Sequence, residues 1–202
     1  LYAVHWPFYQ FETSRNKIKS PLHNRLEKKG ACFGETAGWE RANWYTKNGQ
    51  NPEYKYSYSK QNWFENVREE CNAVRTNSGL FELTSFSKFL VQGKDAVNFL
   101  NYLCVSEMKV PVGRIVYTQM LNDEAGTEAD VTFTRLDDDV FMFVTGPTSH
   151  NKDYYWLLSH ARTFQTVEIR DVTRDYGCLS LMGPNSREHI QKICNEDVSN
   201  ES

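Results

Sequence analysis

The sequence predicts an α+β fold in which helices pack against a mixed β-sheet. Two passages, 80–121 and 140–182, each combine strand-like and helix-like patterns. Between them, the β-rich runs 114–121 and 127–136 flank the turn-forming residues Asn-Asp-Glu-Ala-Gly, which is typical of a hairpin. Because 40% of the 202 residues are hydrophobic and 14% are aromatic, the chain can bury a core and is not a disordered tail.

The first 46 residues are expected to be an irregular connecting segment that contains one short helix. Ser20 can cap this helix, Pro21 suits its first position and Gly30 ends it, so residues 22–29 are predicted to be helical. The rest is aromatic and punctuated by glycine, and we expect it to pack on a neighbouring domain. Residues 47–62 are polar and rich in tyrosine, as in a linker that lies over a surface.

A helical pattern begins at residue 63. Four residues fall three or four positions apart and predict one apolar helix face: Phe64, Val67, Cys71 and Val74. Cys71 is therefore predicted to be a buried thiol, not a nucleophile.

The remaining elements follow from periodicity and from capping residues. A strand is predicted at 80–92 and a helix at 96–103, which Asp95 caps and which points Val97, Leu100 and Cys104 inward. After the central hairpin come a fully buried strand at 140–145 and a helix at 149–162 that carries Tyr155, Leu158 and Ala161. Strands at 165–171 and 178–182 follow, the second of them buried, and a last helix opens at Gly183–Ser186 and runs to about Cys194. The glycine–proline start of the last helix is expected to be a structural turn, although a helix start can also hold an anion.

Charge and composition exclude several classes of function. The net charge is −3 and the basic residues are scattered, so no nucleic-acid partner is expected. The five cysteines lack the spacing of metal ligands, and reduced thiols are expected. Three adjacent aspartates, Asp137–Asp139, cannot all face one point, so we predict a solvated turn and no metal site. No apolar run approaches the length of a transmembrane helix.

The second run of the hairpin carries a carboxylate in an alternating pattern. Asp130, Thr132 and Thr134 alternate with Val131 and Phe133, so Asp130 and Val131 face opposite sides of the sheet. The residues alone leave two interpretations open. Asp130 is either a solvated charge or a fixed acceptor for a ligand.

The hairpin sequence GRIVYTQMLNDEAGTEADVTFTR resembles the folate-binding strand pair of the glycine-cleavage T-protein (aminomethyltransferase) superfamily. Its pattern is Tyr-Thr-x-Met-Leu-Asn, a turn with glycine, then Thr-Glu-x-Asp-Leu-Thr. The matching residues are Tyr117, Thr118, Met120, Leu121, Asn122, Gly126, Thr127, Glu128, Asp130 and Thr132. Ala125 replaces the first of two glycines, and Val131 replaces Leu.

Motifs near the start of the chain resemble the flavin-dependent branch of this superfamily, the dimethylglycine and sarcosine dehydrogenases. They lie at 5–7, 14–16, 20–23, 30–34 and 38–44. The resemblance implies that residues 1–46 end the central region of an FAD-dependent oxidoreductase. It also implies that 47–62 is a linker, and that 63–202 is the incomplete N-terminal part of a T-protein-like folate-binding domain. The chain is thus expected to be an internal fragment, inactive by itself.

The same resemblance implies a function for the parent protein. It would oxidise a small N-methylated amino acid with FAD, which a preceding domain binds, and transfer the released one-carbon unit to tetrahydrofolate. Asp130 would be catalytic, accepting or orienting a proton of a folate nitrogen. Tyr117, Phe86, Leu90 and Val144 would join Asp130 in lining the folate cleft, although ordinary core packing would also explain Phe86, Leu90 and Val144. No membrane partner is expected, and a eukaryotic parent would lie in the mitochondrial matrix, a bacterial one in the cytoplasm.

Alternative interpretations remain. A non-catalytic module similar to the regulatory subunit of pyruvate dehydrogenase phosphatase would have the same architecture. An RNA-modifying or iron–sulfur-assembly relative is disfavoured by the motifs in 1–46. Trp39-Glu40-Arg41 would be either a ligand contact or, as we favour, an interdomain strut with an Arg–Glu pair. His150 and His160 are expected at the surface or as helix caps.

Overall fold

The computed structural model describes residues 3–47 and 49–199, which divide into two compact units. The first unit contains the described residues up to Leu83 and those from Gly177 onward, and the second is Thr84–Tyr176.

The described residues contain five α-helices, and each corresponds to a predicted helix. Their bounds are α1 His23–Lys28, α2 Phe64–Thr76, α3 Ala96–Leu103, α4 His150–Ala161 and α5 Ser186–Gln191. A 3-10 turn, Pro147–Ser149, leads into α4.

Nine strands complete the secondary structure of the described residues. They are β1 Ala31–Thr36, β2 Trp39–Tyr45, β3 Gly79–Glu82, β4 Ser87–Gln92, β5 Ile115–Leu121, β6 Thr127–Asp137, β7 Val140–Thr145, β8 Glu168–Asp171 and β9 Leu179–Met182.

In the first unit, the segment that was expected to be irregular contains a β-hairpin. β1 and β2 pair antiparallel, with Thr36 opposite Trp39 at the turn. The turn residues Ala37 and Gly38 adopt φ of +51° and +84°, a conformation that glycine accepts without strain. Trp44 of β2 is only 1% exposed and contacts the rings of Tyr54 and Trp63. The hairpin therefore packs within its own unit, and the expectation of irregular structure is wrong at 31–45.

Two further predictions fail in this unit. The predicted strand at 80–92 is two strands, since a turn at 83–86 separates β3, which pairs with β9 in the first unit, from β4 in the second. Strand β9 was expected to be buried, yet Leu179 and Met182 are about half exposed.

Helix α2 also differs from its predicted packing. Cys71 is exposed, not buried, and Phe64 is 41% exposed. The helix instead buries Asn66, whose amide donates to the carbonyl of Tyr45 at 2.6 Å. Its contact with the hairpin is thus partly polar, which an apolar periodicity does not report.

The second unit is built on a five-stranded sheet with the order β5-β6-β7-β4-β8. Each neighbouring pair is antiparallel, so the strand directions differ from those of the mixed sheet expected. The reason is that the passage after β4 leads to β5 at the far edge, not to a neighbour of β4. The α+β class with helices on a sheet is confirmed.

One face of this sheet forms the core with α3 and α4. Fully buried residues from strands and helices meet there: Phe89, Val91, Phe133, Phe141, Phe143, Phe99, Leu100 and Leu157. Leu100 and Cys104 are buried and Val97 packs at the edge of the core, as predicted. In α4, Leu157 is the fully buried core residue, and Tyr155 is 65% exposed.

Strand β7 is buried on one face only. Phe141, Phe143 and Thr145 are buried, whereas Val140, Met142 and Val144 are half-buried. The apolar run had predicted burial on both faces. Within the described residues, no helix is both long enough and apolar enough to span a membrane.

Candidate functional site

The face of the sheet opposite the aromatic core brings together four of the five predicted site residues. Successive side chains of a strand point to opposite faces, and directly paired residues share a face. One row across the sheet therefore runs from Tyr117 through Thr132 and Val144 to Lys88. Asp130 lies on the same face, two residues from Thr132 on β6.

Leu90 belongs to this face as well. It pairs with Met142 of β7 and is thus a diagonal neighbour of Val144. Neighbouring strands lie about 4.8 Å apart, so Tyr117 and Val144 are separated by roughly 10 Å. Leu90 is 7% exposed and Val144 is half-buried, while Tyr117 and Asp130 are exposed. Apart from the buried Lys88, the face is thus apolar near β4 and polar at the β5–β6 hairpin.

Asp130 has two polar neighbours on β5. The Nε2 of Gln119, which stands opposite Asp130, donates to its Oδ1 at 3.4 Å. The Asp130 carboxylate also accepts a hydrogen bond from the Tyr117 hydroxyl and thereby raises the pKa of that phenol. The carboxylate is thus supported from β5 and still open to solvent, which is what a ligand acceptor on a sheet surface requires.

The turn between β5 and β6 is fixed by its own side chains. Asn122 Oδ1 accepts the backbone N–H of Gly126 at 2.8 Å and that of Glu124 at 3.1 Å. Ala125 adopts φ +61°, a left-handed conformation. This explains why the related pattern has glycine at that position, because glycine adopts such a φ without steric cost.

Phe86, the fifth predicted residue, does not lie in a strand. It is half-buried in the turn before β4, and its carbonyl accepts a hydrogen bond from the Nζ of Lys88 at 2.7 Å. The same ammonium donates to the carbonyl of Thr84 at 2.9 Å. Lys88 therefore holds the turn that positions Phe86.

Lys88 was missed by sequence reasoning. It is only 3% exposed, although lysine is almost never fully buried without partners. The alternation of Ser87, Lys88 and Phe89 could have shown that Lys88 faces away from the core. The prediction of one continuous strand at 80–92 did not show where β4 begins, and so did not assign Lys88 to a face.

A Ser–His–Asp cluster lies on the other side of the sheet. His150 Nδ1 is 2.9 Å from Ser87 Oγ, and His150 Nε2 is 3.4 Å from Asp171 Oδ2. The arrangement resembles a nucleophilic triad, but Ser87 is 1% exposed and its hydroxyl cannot reach a substrate. The cluster ties His150, the first residue of α4, to two strands. Its half-buried side chain does not cap the helix, so the expected capping role of His150 is wrong.

Other predicted features have structural explanations. Glu40 does form an Arg–Glu pair, but its partner is Arg15, whose Nε and Nη2 donate to the two carboxylate oxygens at 2.9 and 2.7 Å. The prediction concerned Trp39-Glu40-Arg41 as an interdomain strut, whereas the arginine comes from the Ser14–Asn16 motif and both residues lie in the first unit. The Asp137–Asp139 turn is exposed, and no group of three metal-binding side chains occurs in the described residues.

Comparisons with known proteins agree with this architecture. The GCVT N-terminal domain family matches residues 22–202. The chain is 44% identical over its full length to 4-methylaminobutanoate oxidase (formaldehyde-forming) of Paenarthrobacter nicotinovorans, of which it covers 24%. It is 33% identical over 90% of its length to mitochondrial dimethylglycine dehydrogenase of Rattus norvegicus, of which it covers 21%. The chain thus spans about a quarter of the length of these relatives.

A solved structure is similar as well. The crystal structure of the glycine cleavage system aminomethyltransferase T from Bartonella henselae has a TM-score of 0.71 and 26% identity, and the match covers 87% of this chain and 43% of that one.

Proposed function

The chain belongs to the GCVT N-terminal domain family, and from that membership we propose that it is part of a flavin-dependent N-methyl amino acid dehydrogenase. In this proposal the full-length protein oxidises a small methylated amine, and the domain to which this chain belongs transfers the released one-carbon unit to tetrahydrofolate. The observation that carries the proposal is the pair Tyr117 and Asp130, which stand together on an open sheet face beside apolar side chains.

The names of the relatives support the oxidation. They are an oxidase that forms formaldehyde and a dimethylglycine dehydrogenase. FAD would be bound by a region that this chain does not contain. None of the relatives reported above is a regulatory subunit, so the regulatory alternative gains no support from them. The rat relative is mitochondrial, and for a eukaryotic parent we propose the same compartment.

The residues of the sheet face fit a folate. A flat heterocycle needs an apolar or aromatic wall and a few fixed polar groups. Leu90, Val144 and Phe86 would supply the wall, Tyr117 an aromatic ring with a hydroxyl, and Asp130 the acceptor. We propose residues 63–202 as part of the folate-binding domain, with 1–46 and 47–62 as the end of the oxidoreductase region and the linker.

The chemistry assigned to Asp130 follows from its surroundings. Tetrahydrofolate would supply a nucleophilic nitrogen that captures the one-carbon unit. Asp130 would accept the proton from that nitrogen or orient it, through the carboxylate oxygen that Gln119 does not hold. Because Gln119 and Tyr117 both donate to the carboxylate, it stays oriented toward the open face.

The replacement Asp130→Asn in the full-length protein tests the proposal. Asn keeps the shape and removes the base, so folate-dependent product formation should fall by roughly 10²–10⁴-fold. Reduction of a dye by the amine substrate should remain, and formaldehyde should escape. Asp123→Asn, an exposed aspartate in the same hairpin, is the matched control. If both activities fall together, Asp130 is structural, and if neither falls, its assignment is wrong.

A further inference from the structure

A cavity of about 300 Å³ lies in the first unit and is lined mainly by aromatic rings. Its walls are Phe8, Trp44, Tyr54 and Trp63, and the amides of Gln10 and Asn43 lie at its edge. The sheet face of the second unit that carries Tyr117 and Asp130 includes none of these residues. The proposed one-carbon transfer therefore leaves this cavity unexplained.

The rings meet at angles that suit an aromatic cage. Phe8 and Tyr54 each approach Trp63 nearly at right angles, at 76° and 72°, with centroids 5.7 and 5.2 Å from it. Trp44 flanks Trp63 at 6.4 Å. Among the described residues, Phe8 makes no ring contact with either Trp44 or Tyr54. The cavity therefore opens between Phe8 and the other rings, with Trp63 as the shared wall.

The edge of the cavity is polar and uncharged. Asn43 Nδ2 donates to the Tyr54 hydroxyl at 2.8 Å and so fixes the ring. Gln10 and Asn43 approach one another over Gly34, where an added Cβ would collide with both amides. Burial raises the pKa of Tyr54 to about 12, so its phenol stays neutral. The rings thus offer the cavity π-faces and no anion.

Aromatic faces attract cations, and cages of such rings recognise methylated ammonium groups. The two cation–π contacts found in the described part of the chain involve Phe64 and Phe141, not a ring of this cavity. We propose that this cavity binds an N-methylated ammonium group. An alkylated ammonium is weakly hydrated and fits a site that offers ring faces without a carboxylate.

The proposal adds a second ligand site to the chain. The amine substrate proposed above carries such a group, and identifying the ligand with that substrate rests on the proposed function. The preference of the cavity for a methylated cation does not rest on the proposed function. An experiment can therefore reject either one without rejecting the other.

The test uses the full-length protein and choline as the probe, with saturation-transfer NMR of the N-methyl signal as the readout. The control ligand is the uncharged isostere of choline, in which carbon replaces the nitrogen. Choline should bind, and the isostere should bind about tenfold more weakly or not at all. Phe8→Leu should lower the choline affinity about tenfold, because it removes one ring face from a partly exposed position.

A second variant guards against misfolding. Asn43 is exposed at the edge of the cavity, and in Asn43→Asp the carboxylate can accept from the Tyr54 hydroxyl to which Asn43 now donates. The variant therefore adds a negative charge there and should tighten choline binding. Equal binding of choline and its isostere would overturn the proposal, as would affinities that neither variant changes.

Discussion

Gln119 and Asp130 stand directly opposite each other in the β5–β6 pair, and Gln119 Nε2 lies 3.4 Å from Asp130 Oδ1. The amide holds one oxygen of an exposed carboxylate without neutralising its charge. With the Tyr117 hydroxyl on the same side, the hairpin presents a small polar group at the edge of the sheet.

The pair of Tyr117 and Asp130 gives a prediction about titration. The hydrogen bond to Asp130 is the main reason why the pKa of Tyr117 is raised, so Asp130→Asn should lower it. A raised pKa in the folded state favours folding below the ordinary tyrosine value of about 10, and that contribution is lost as the pH rises through the raised value. Ultraviolet titration of wild type, Asp130→Asn and Tyr117→Phe identifies the Tyr117 transition. An unchanged transition in Asp130→Asn would contradict this account.

Lys88 should be important for the stability of the second unit. Lys88→Met leaves the carbonyls of Thr84 and Phe86 without the donor that they have now, and should cost about 1–3 kcal/mol of unfolding free energy. Lys94→Met, an exposed lysine nearby in the sequence, should change stability by less than about 0.5 kcal/mol. Urea unfolding measures both. Equal midpoints for the two variants would show that the buried ammonium does not stabilise this turn.

Glu40 should make the first unit sensitive to acid. Its carboxylate accepts from Arg15 and from the backbone N–H of Asn16, and these bonds lower its pKa below the usual 4.5. A lowered folded pKa gives stability that is present above the usual value and is lost as the pH falls through the folded value.

The replacement Glu40→Gln should therefore cost about 2 kcal/mol at neutral pH, because Glu40 is 3% exposed and Arg15 loses its partner. Below the folded pKa of Glu40 the variant and the wild type should converge. Glu12→Gln, at an exposed position, is the control. Denaturant unfolding at several pH values measures the difference, and a gap that stays constant down to acid pH would argue against the ion pair.

The cysteines should differ in reactivity. Burial raises the pKa of Cys32 to about 11 and that of Cys104 to about 12, so neither should form thiolate at neutral pH. Cys71 is exposed on α2 and should react first. Pulse alkylation of the 202-residue chain, read by peptide mass spectrometry, ranks them. Protection of Cys71 would restore the interpretation of a buried thiol.

Elements whose causes are local could be predicted from the sequence. The hairpin at 114–136 follows from alternation and from the turn at Asn122–Gly126, and both are properties of neighbouring residues. Helix α3 spans Ala96–Leu103, as periodicity predicts, but the side chain of Asp95 makes no capping hydrogen bond and accepts from the Thr166 hydroxyl at 2.8 Å instead. The same alternation placed Asp130 on the face opposite Val131, and the register of β5 and β6 agrees.

Packing between elements that are distant in the sequence controls which surfaces are covered and which side chains meet. Glu40 pairs with Arg15, 25 residues away, and His150 bridges Ser87 and Asp171 from separate elements. Apolar periodicity does not predict that Cys71 is exposed, that a turn divides 80–92, or that Lys88 is buried. Periodicity reports which residues share a face, whereas burial depends on what the rest of the chain lays against that face.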